Sequence, residues 1–280
     1  MSGNFLREIV ERKRQVVEKL RADSSAGALR TRALEIRKNA IQHRLRRTME
    51  AESPQLKIVA EFKRRSPSLG RIRTDLSPVD IARRYERGGA CAISVLTDEE
   101  SFGGSMDDLI AVRSSTHLPV LRKDFIIDPI QIYEAASAGA DAVLLIAAAL
   151  NNTSLGRLRE LAEDELGLDA LVEVHTPDEL RQALSAGATL IGVNNRDLHT
   201  FEVSLNTSER LIAEAPPDKV MLSESGLQNA ESLGRLHALG FRGFLIGEAL
   251  MRAPDPETAL RDLVANVELR QVAPSGGRRT

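Results

Sequence analysis

The sequence is poor in cysteine and in aromatic residues, and it contains no tryptophan. Its one cysteine, Cys91, excludes a disulfide within the chain, and a single thiol fits a reducing compartment. Because Cys91 opens an apolar segment, we interpret it as a small core residue. No apolar run approaches the ~18 residues of a membrane-spanning helix, and the N-terminus lacks the apolar stretch of a secretion signal. We therefore expect a soluble cytoplasmic protein.

The sequence also lacks an excess of charge of either sign. Its formal net charge is -2, which gives no bulk attraction to nucleic acid or to an anionic membrane. No spacing of His and Cys is typical of a metal site. No apolar helix face marks an oligomer interface, so we expect a monomer or a weak homo-oligomer that acts on a small molecule.

One design recurs four times along the chain: a helix that ends in a small residue plus Gly, followed by a short apolar strand. The glycines of these repeats are Gly89, Gly139, Gly187 and Gly240, about 50 residues apart. Four further apolar runs lie between the repeats and carry a charged residue at or next to their ends, at Ile58 to Lys63, Leu118 to Lys123, Ala170 to Val174 and Val220 to Glu224. Strands and helices therefore alternate eight times.

Eight strand–helix units in a chain of this length predict a single α/β domain, a closed (β/α)8 TIM barrel, over residues 51–265. Residues 1–50 are predicted to form a helical extension packed on the barrel, and 266–280 a flexible tail. In the extension, apolar spacing predicts a helix over Asn4 to Leu20 and a second, Arg-rich helix over Leu29 to Met49. We interpret the basic helix as a solvated surface; a partner-binding or nucleic-acid-binding helix is the alternative.

Three helix starts support this layout. Ser77, Asp128 and Thr176 each stand directly before a proline, the arrangement of an N-cap residue followed by Pro at the first helical position. Asp128 is therefore interpreted as a cap and not as a catalytic acid.

The charges that end the odd-numbered strands predict a functional site, because the C-terminal strand ends form the active face of such barrels. Glu61 and Lys63 share one face of the first strand by the two-residue period. They form either a structural ion pair that fills the barrel or a catalytic pair. Arg64, Arg65, Ser66 and Ser68 follow with donors suited to an anion, and the loop from Leu69 to Ser77 could move over the site.

Lys123 ends the third strand and Glu173 the fifth. A desolvated lysine can serve as a proton donor or as a Schiff-base nucleophile, and the sequence leaves both roles open for Lys123. Glu173 suits proton transfer if its surroundings raise its pKa. His175 has the same parity as Glu173, and we interpret it as a rim residue.

The last three strands end in polar and small residues. G-V-N-N-R-D-L brings Asn194 and Arg196 to the end of the sixth strand, where they could bind hydroxyls or a carboxylate. S-E-S-G at Ser223 to Gly226 and I-G-E-A-L-M at Ile246 to Met251 follow the seventh and eighth strands. Loops of this kind bind phosphate through backbone N–H groups, so we expect a phosphorylated substrate.

Taken together, these motifs resemble the indole-3-glycerol phosphate synthase family of tryptophan biosynthesis. The resemblance spans Glu61 to Pro256 and rests on E-F-K-R-R-S-P-S, S-F-G-G-S, L-R-K-D-F-I-I-D-P, L-V-E-V-H, G-V-N-N-R-D-L, S-E-S-G and I-G-E-A-L-M-R in order. It implies a decarboxylating and dehydrating ring closure of 1-(2-carboxyphenylamino)-1-deoxyribulose 5-phosphate, without cofactor or metal.

The resemblance also implies a role for each site residue. Lys123 corresponds to the general acid of ring closure, while Glu173 and Lys63 share the proton transfers of dehydration and Glu61 orients Lys63. The remaining residues correspond to binding groups: Asn194, Arg196, Glu224 and Ser225 for hydroxyls or leaving groups, Ser66, Gly226, Gly247 and the backbone of Glu248 for phosphate, and Pro67, Phe102, Phe125 and Leu144 for the anthranilate ring.

Two other functions fit parts of this sequence. A phosphoribosylanthranilate isomerase shares the last two loops but needs a Cys or Asp acid–base pair, and Cys91 lies at the wrong end of its strand. A non-catalytic module of the same fold would be favoured only if the charges at the strand ends were missing. Fold alone would not separate these readings.

Overall fold

A computed structural model describes residues 5–23, 25–67, 70–73, 75–198 and 200–265 of the chain. Eight parallel strands close into a barrel in which each strand pairs with the next along the chain and the last with the first. The strands are β1 (Ile58–Phe62), β2 (Ala92–Leu96), β3 (Val120–Lys123), β4 (Ala142–Ile146), β5 (Asp169–Val174), β6 (Leu190–Asn194), β7 (Val220–Glu224) and β8 (Gly243–Ile246). The predicted TIM barrel is confirmed.

Alternation along the strands divides the core into two parts. On β1, Val59 belongs to the cluster inside the barrel, whereas Ile58 and Ala60 belong to the cluster between the strands and the surrounding helices. Leu121, Leu171 and Leu222 also belong to the inner cluster. Side chains two residues further along a strand keep the same parity. The charged residues that end the odd strands are therefore directed into the barrel at its C-terminal end.

The helices around the barrel are α4 (Pro78–Arg87), α5 (Glu99–Phe102), α6 (Met106–Ser115), α7 (Pro129–Ser137), α8 (Asn152–Glu160), α9 (Pro177–Ser185), α10 (Asn206–Glu214), α11 (Ala230–Ala238), α12 (Glu248–Arg252) and α13 (Pro256–Ala265), numbered after the three helices of the extension. Three of them, α4, α7 and α9, begin where the sequence predicted. Ser77, Asp128 and Thr176 each accept a hydrogen bond from a backbone N–H in the first turn of the following helix. Their interpretation as N-caps is confirmed.

The repeated glycines owe their positions to backbone conformation. Gly89, Gly139, Gly187 and Gly240 all have positive φ, between 80° and 116°. A residue with a side chain is strained in that conformation, whereas glycine adopts it freely just after a helix. The repeat thus marks the points where four helices turn back toward the barrel.

The N-terminal extension differs from its prediction in one respect. The first helix, α1 (Phe5–Asp23), lies close to the predicted range, but the predicted second helix is two helices, α2 (Ala26–Arg37) and α3 (Arg44–Glu50). The prediction of a single helix over Leu29 to Met49 was therefore wrong. Its break has a physical cause, because the buried Arg37 guanidinium donates to the backbone carbonyls of Leu166 and Gly167, and His43 adopts a left-handed φ of 51°.

The extension contacts both ends of the barrel. Ile9 of α1, together with Leu45 and Met49 of α3, belongs to the hydrophobic cluster inside the barrel. The backbone N–H of Arg46 donates to Asp169 at the start of β5, so α3 lies at the N-terminal end of the strands. The basic helix is accordingly not a uniformly solvated surface, because Arg37, Leu45 and Met49 are buried.

Some predictions fall on residues that the structure does not describe. The predicted tail, 266–280, lies outside the described residues, as do Asn4, Ser68 and Leu69. The division of the chain at residues 50 and 265 stays a prediction. Within the part that is described, no helix combines the length and the apolar character needed to cross a membrane.

Candidate active site

Lys123 occupies the centre of a buried charge cluster at the C-terminal end of the barrel. Its Nζ lies 3.1 Å from Glu173 Oε2 on β5 and 3.5 Å from Glu224 Oε2 on β7. Glu61 lies on β1 and Lys63 follows the strand directly. Lys63 Nζ lies 2.9 Å from Glu61 Oε1. All four odd-numbered strands therefore bring a charged group to one layer, as their parity predicts.

Burial and proximity change the protonation of these groups together. Burial alone would lower the pKa of Lys123, but Glu173, Glu224 and Glu61 outweigh it and hold that pKa above its usual range. Burial alone would raise the pKa of Glu173, but the positive charges of Lys123 and His175 hold it below its usual range. At neutral pH Lys123 is therefore an ammonium and Glu173 a carboxylate.

Glu224 has the opposite shift. Burial raises its pKa to about 7; Lys123 opposes that shift, and the negative charges of Glu173 and Glu61 add to it. Glu173 and Glu224 both face the Lys123 ammonium, and two neighbouring carboxylates cannot both be ionised without cost, so their titrations are linked. The cluster thus holds a charged acid, an ionised base and a carboxyl that titrates near neutrality.

Two glycines make room for the carboxylates. A Cβ on Gly192 of β6 would overlap Glu224 Oε1, and a Cβ on Gly247 after β8 would overlap Glu61 Oε1. Neither glycine has a positive φ. Their lack of a side chain is therefore required for space.

The turn after β7 has an unusual backbone. Ser225 and Gly226 both have positive φ, 66° and 75°. The buried side chain of Asn195 donates to the carbonyl oxygens of Glu224 and Ser225, at 3.0 and 3.1 Å, and so fixes the turn. A left-handed conformation at a residue other than glycine is uncommon and concentrates at functional sites.

A cavity of about 320 Å³ opens above the cluster. Every site residue predicted from the sequence lines it: Glu61, Lys63, Ser66, Pro67, Phe102, Lys123, Phe125, Leu144, Glu173, Asn194, Arg196, Glu224, Ser225, Gly226, Gly247 and Glu248. On one side the rings of Phe102 and Phe125 stack at 6.4 Å between centroids and 29° between planes. On the other, Arg196 Nη2 lies 3.5 Å from Glu248 Oε2, and both side chains are half-buried. The cavity therefore has an apolar wall, a charged floor and a polar end.

A family model described as indole-3-glycerol phosphate synthase matches residues 6–263. The chain belongs to the indole-3-glycerol phosphate synthase family. A protein of that name from Rhodopirellula baltica is 49% identical over 216 residues, which is 77% of this chain and 83% of the relative. Another, from Carboxydothermus hydrogenoformans, is 45% identical over 267 residues, 93% of this chain and 100% of the relative.

Solved structures of lower identity share the barrel. A thiamine phosphate pyrophosphorylase from Pyrococcus furiosus superposes with a TM-score of 0.56 at 18% identity, over 74% of this chain and 93% of that one. A KGPDC from Streptococcus mutans gives 0.54 at 16% identity, over 75% and 95%. At such identities the likeness shows the fold alone.

The cavity is also lined by residues that were not predicted from the sequence. Phe5 of α1 meets Phe201 of the loop after β6 edge to face, with centroids 5.0 Å apart, and both line the cavity. Phe5 belonged to the apolar stripe predicted for α1, but its position over the barrel mouth depends on where that helix packs.

A second missed group is the ion cluster beneath α1. Lys13 Nζ lies 2.8 Å from Asp98 Oδ2 and 2.6 Å from Asp124 Oδ1, and all three side chains are buried. Arg122 and Thr97 also bind the Asp124 carboxylate. Because Asp124 follows Lys123 directly, this cluster connects α1 to the end of β3, which carries Lys123.

His175 is the third. Its Nε2 lies 3.4 Å from Glu173 Oε1 and its Nδ1 2.9 Å from Glu179 Oε2. The ring is nine-tenths buried beside Glu173, and no atom of His175 lines the cavity. The interpretation of His175 as a rim residue did not include either contact.

Proposed function

We propose that this chain is an indole-3-glycerol phosphate synthase, which closes the indole ring of 1-(2-carboxyphenylamino)-1-deoxyribulose 5-phosphate with loss of carbon dioxide and water. The observation that supports the proposal most strongly is the ammonium of Lys123, held between Glu173 and Glu224 on the floor of a cavity with an apolar wall. The family and its relatives support the same reaction.

Lys123 serves as the general acid of ring closure. The ring carbon that bears the carboxylate attacks the C2′ carbonyl, and Lys123 gives a proton to the oxygen as negative charge develops on it. The carbon–carboxylate bond then breaks, and its electron pair restores the aromatic ring as carbon dioxide departs. A Schiff base would need a neutral amine. The neighbouring carboxylates raise the pKa of Lys123 and favour the ammonium.

Dehydration uses Glu173 and Lys63. Glu173 is ionised and takes the proton from C1′, while Lys63 gives a proton to the departing C2′ hydroxyl. Glu61 holds Lys63 in place through the 2.9 Å ion pair. The new carbon–carbon double bond completes the indole, and one water molecule is released. The positive charges of Lys123 and His175, which hold the pKa of the buried Glu173 low, support its assignment as the base.

The cavity suits the rest of the substrate. Phe102, Phe125, Pro67 and Leu144 provide the apolar wall for the anthranilate ring, where stacking on aromatic faces is favourable. Ser66, Gly226, Gly247 and the backbone of Glu248 line the same cavity and serve the phosphate. Asn194, Arg196 and Ser225 serve the hydroxyls of the sugar. Acid, base and anion-binding groups are all supplied by the chain, so the proposed reaction uses no cofactor or metal.

The proposed setting is the cytoplasm, with the protein a monomer or weak homo-oligomer that binds neither nucleic acid nor membrane. The near-neutral net charge supports the lack of nucleic-acid binding. The single thiol, Cys91, donates to the carbonyl of Ile58 at the N-terminal end of the barrel, away from the cavity. That position also disfavours the isomerase alternative.

The test is indole formation by the purified protein. Because the chain has no tryptophan, adding the carboxyphenylamino-deoxyribulose phosphate should produce indole fluorescence that no tryptophan emission from the protein masks, with EDTA present throughout. Growth of that signal supports the proposed reaction. Binding of the substrate without any indole signal would contradict it and favour a binding module.

A further inference from the structure

His175 and Glu179 form a largely buried pair beside Glu173. Glu179 is the third residue of α9, and its Oε2 accepts hydrogen bonds from the backbone N–H of His175 at 2.8 Å and from Nδ1 at 2.9 Å. The carboxylate can only accept, so Nδ1 carries a hydrogen and the ring orientation is fixed. Thr176, which caps the same helix, binds the N–H of Glu179 and holds it in place.

The other ring nitrogen faces the proposed base. His175 Nε2 lies 3.4 Å from Glu173 Oε1, and within the described residues this nitrogen has no hydrogen-bond partner. Glu173 Oε2 is bound by Lys123 at 3.1 Å. The two oxygens of Glu173 therefore face two different cationic groups, one on each side.

The charges around the imidazole favour its protonated form. Two carboxylates face the ring, Glu173 from β5 and Glu179 from α9, and Lys123 on β3 binds the other oxygen of Glu173. Burial opposes a charge on His175, but these carboxylates outweigh it and raise its pKa to about 10. An imidazolium placed in this way is an electrostatic partner for Glu173.

We propose that protonated His175, held by Glu179, is a positioning residue. It keeps the Glu173 carboxylate ionised and correctly oriented during dehydration. This inference rests on the proposed function. Lys123 gives up its proton during ring closure and then no longer offers Glu173 a positive charge, whereas His175 is outside the cavity and keeps its own. Glu173 would otherwise be a buried carboxylate beside Glu224, where burial and like charge both favour protonation.

The test compares His175→Gln and Glu179→Gln with the matched control Asp178→Asn. Asp178 stands on the same turn of α9, is exposed and pairs only with Arg181 among the described residues. For His175→Gln we expect kcat to fall about tenfold with KM within about twofold, and the acid limb of the kcat–pH profile to move up by about one pH unit. Glu179→Gln should move it in the same direction by less, and Asp178→Asn should leave it unchanged.

The protonation state gives a readout that does not depend on activity. In NMR titrations of the wild-type protein, the His175 resonance, assigned by its loss in His175→Gln, should stay that of an imidazolium at pH 8, well above the ordinary value of ~6.5. Titration near that ordinary value would overturn the proposal. So would a folded His175→Gln protein with the wild-type acid limb. If His175→Gln fails to fold, the acid limb of the kcat–pH profile is compared between Glu179→Gln and the wild-type protein instead.

Different results would overturn the proposed function and the role of His175. Absence of indole formation by the wild-type protein would overturn the proposed function and leave the NMR titration to decide the protonation of His175. Normal wild-type turnover with unaltered pH profiles in both variants would overturn only the role of His175.

Discussion

Replacing Lys13 by methionine should destabilise the protein by removing the cation that joins the buried carboxylates of Asp98 and Asp124. Lys13 belongs to α1, and its Nζ binds Asp98 and Asp124 at 2.8 and 2.6 Å. Their side chains are only 5% and 1% exposed. Methionine keeps the length and apolar packing of the lysine stem but removes its charge, so both carboxylates would lose a partner that water cannot replace.

The size of the effect follows from the partners that remain. Removing one member of a buried ion pair costs about 3–5 kcal/mol. Asp124 would keep Arg122, and Asp98 would keep the backbone N–H of Ser101, so we expect the lower end, about 3 kcal/mol. For a protein of this size that corresponds to a fall in the melting temperature of roughly 6–12 °C.

Urea and thermal unfolding followed by circular dichroism measure this change. The matched control is Arg12→Met, one residue earlier on α1, whose exposed pair with Glu100 should contribute less than about 1 kcal/mol. Equal midpoints for Lys13→Met and Arg12→Met would refute the reasoning, because the buried cluster would then contribute no more than an exposed pair.

Two further predictions concern Glu224. Gly192→Ala should leave secondary structure intact but displace the Glu224 carboxylate and lower kcat by about tenfold or more, which steady-state kinetics and circular dichroism would check; wild-type kcat would contradict the steric argument. Because burial raises the pKa of Glu224 to about 7, its stabilising contribution is present below its ordinary pKa and is lost as pH rises through 7. Relative to Glu224→Gln, the wild-type protein should therefore lose about 2–3 kcal/mol of stability between pH 5 and pH 8 in urea unfolding. Parallel pH dependences would contradict that shift.

The fold and the cavity were predictable because both depend on short-range patterns. Glu61, Lys123, Glu173 and Glu224 each end an apolar run at the same parity, and a closed barrel brings such ends together whatever the details of its helices. The caps at Ser77, Asp128 and Thr176 likewise depend on two or three adjacent residues. That the four strand-end residues line one cavity was predictable, while the protonation of Lys123, Glu173 and Glu224 depends on distances that the sequence does not give.

What the sequence did not show depends on partners far away along the chain. The break between α2 and α3 is stabilised by Arg37, whose carbonyl partners at Leu166 and Gly167 lie about 130 residues further on. Lys13 appeared as one more charge on a helix, since its carboxylates belong to the ends of β2 and β3. Only the contact of His175 with Glu179 left a local signal, a spacing of four residues across a helix start.

The most direct test of the central claim is single-turnover kinetics of Lys123→Met with the carboxyphenylamino-deoxyribulose phosphate. Methionine preserves the length of the side chain but cannot donate a proton, so the folded variant should still bind the substrate while indole fluorescence forms at least about 100-fold more slowly than with the wild-type protein. Ring closure within a few-fold of the wild-type rate would contradict the assignment of Lys123 as the general acid.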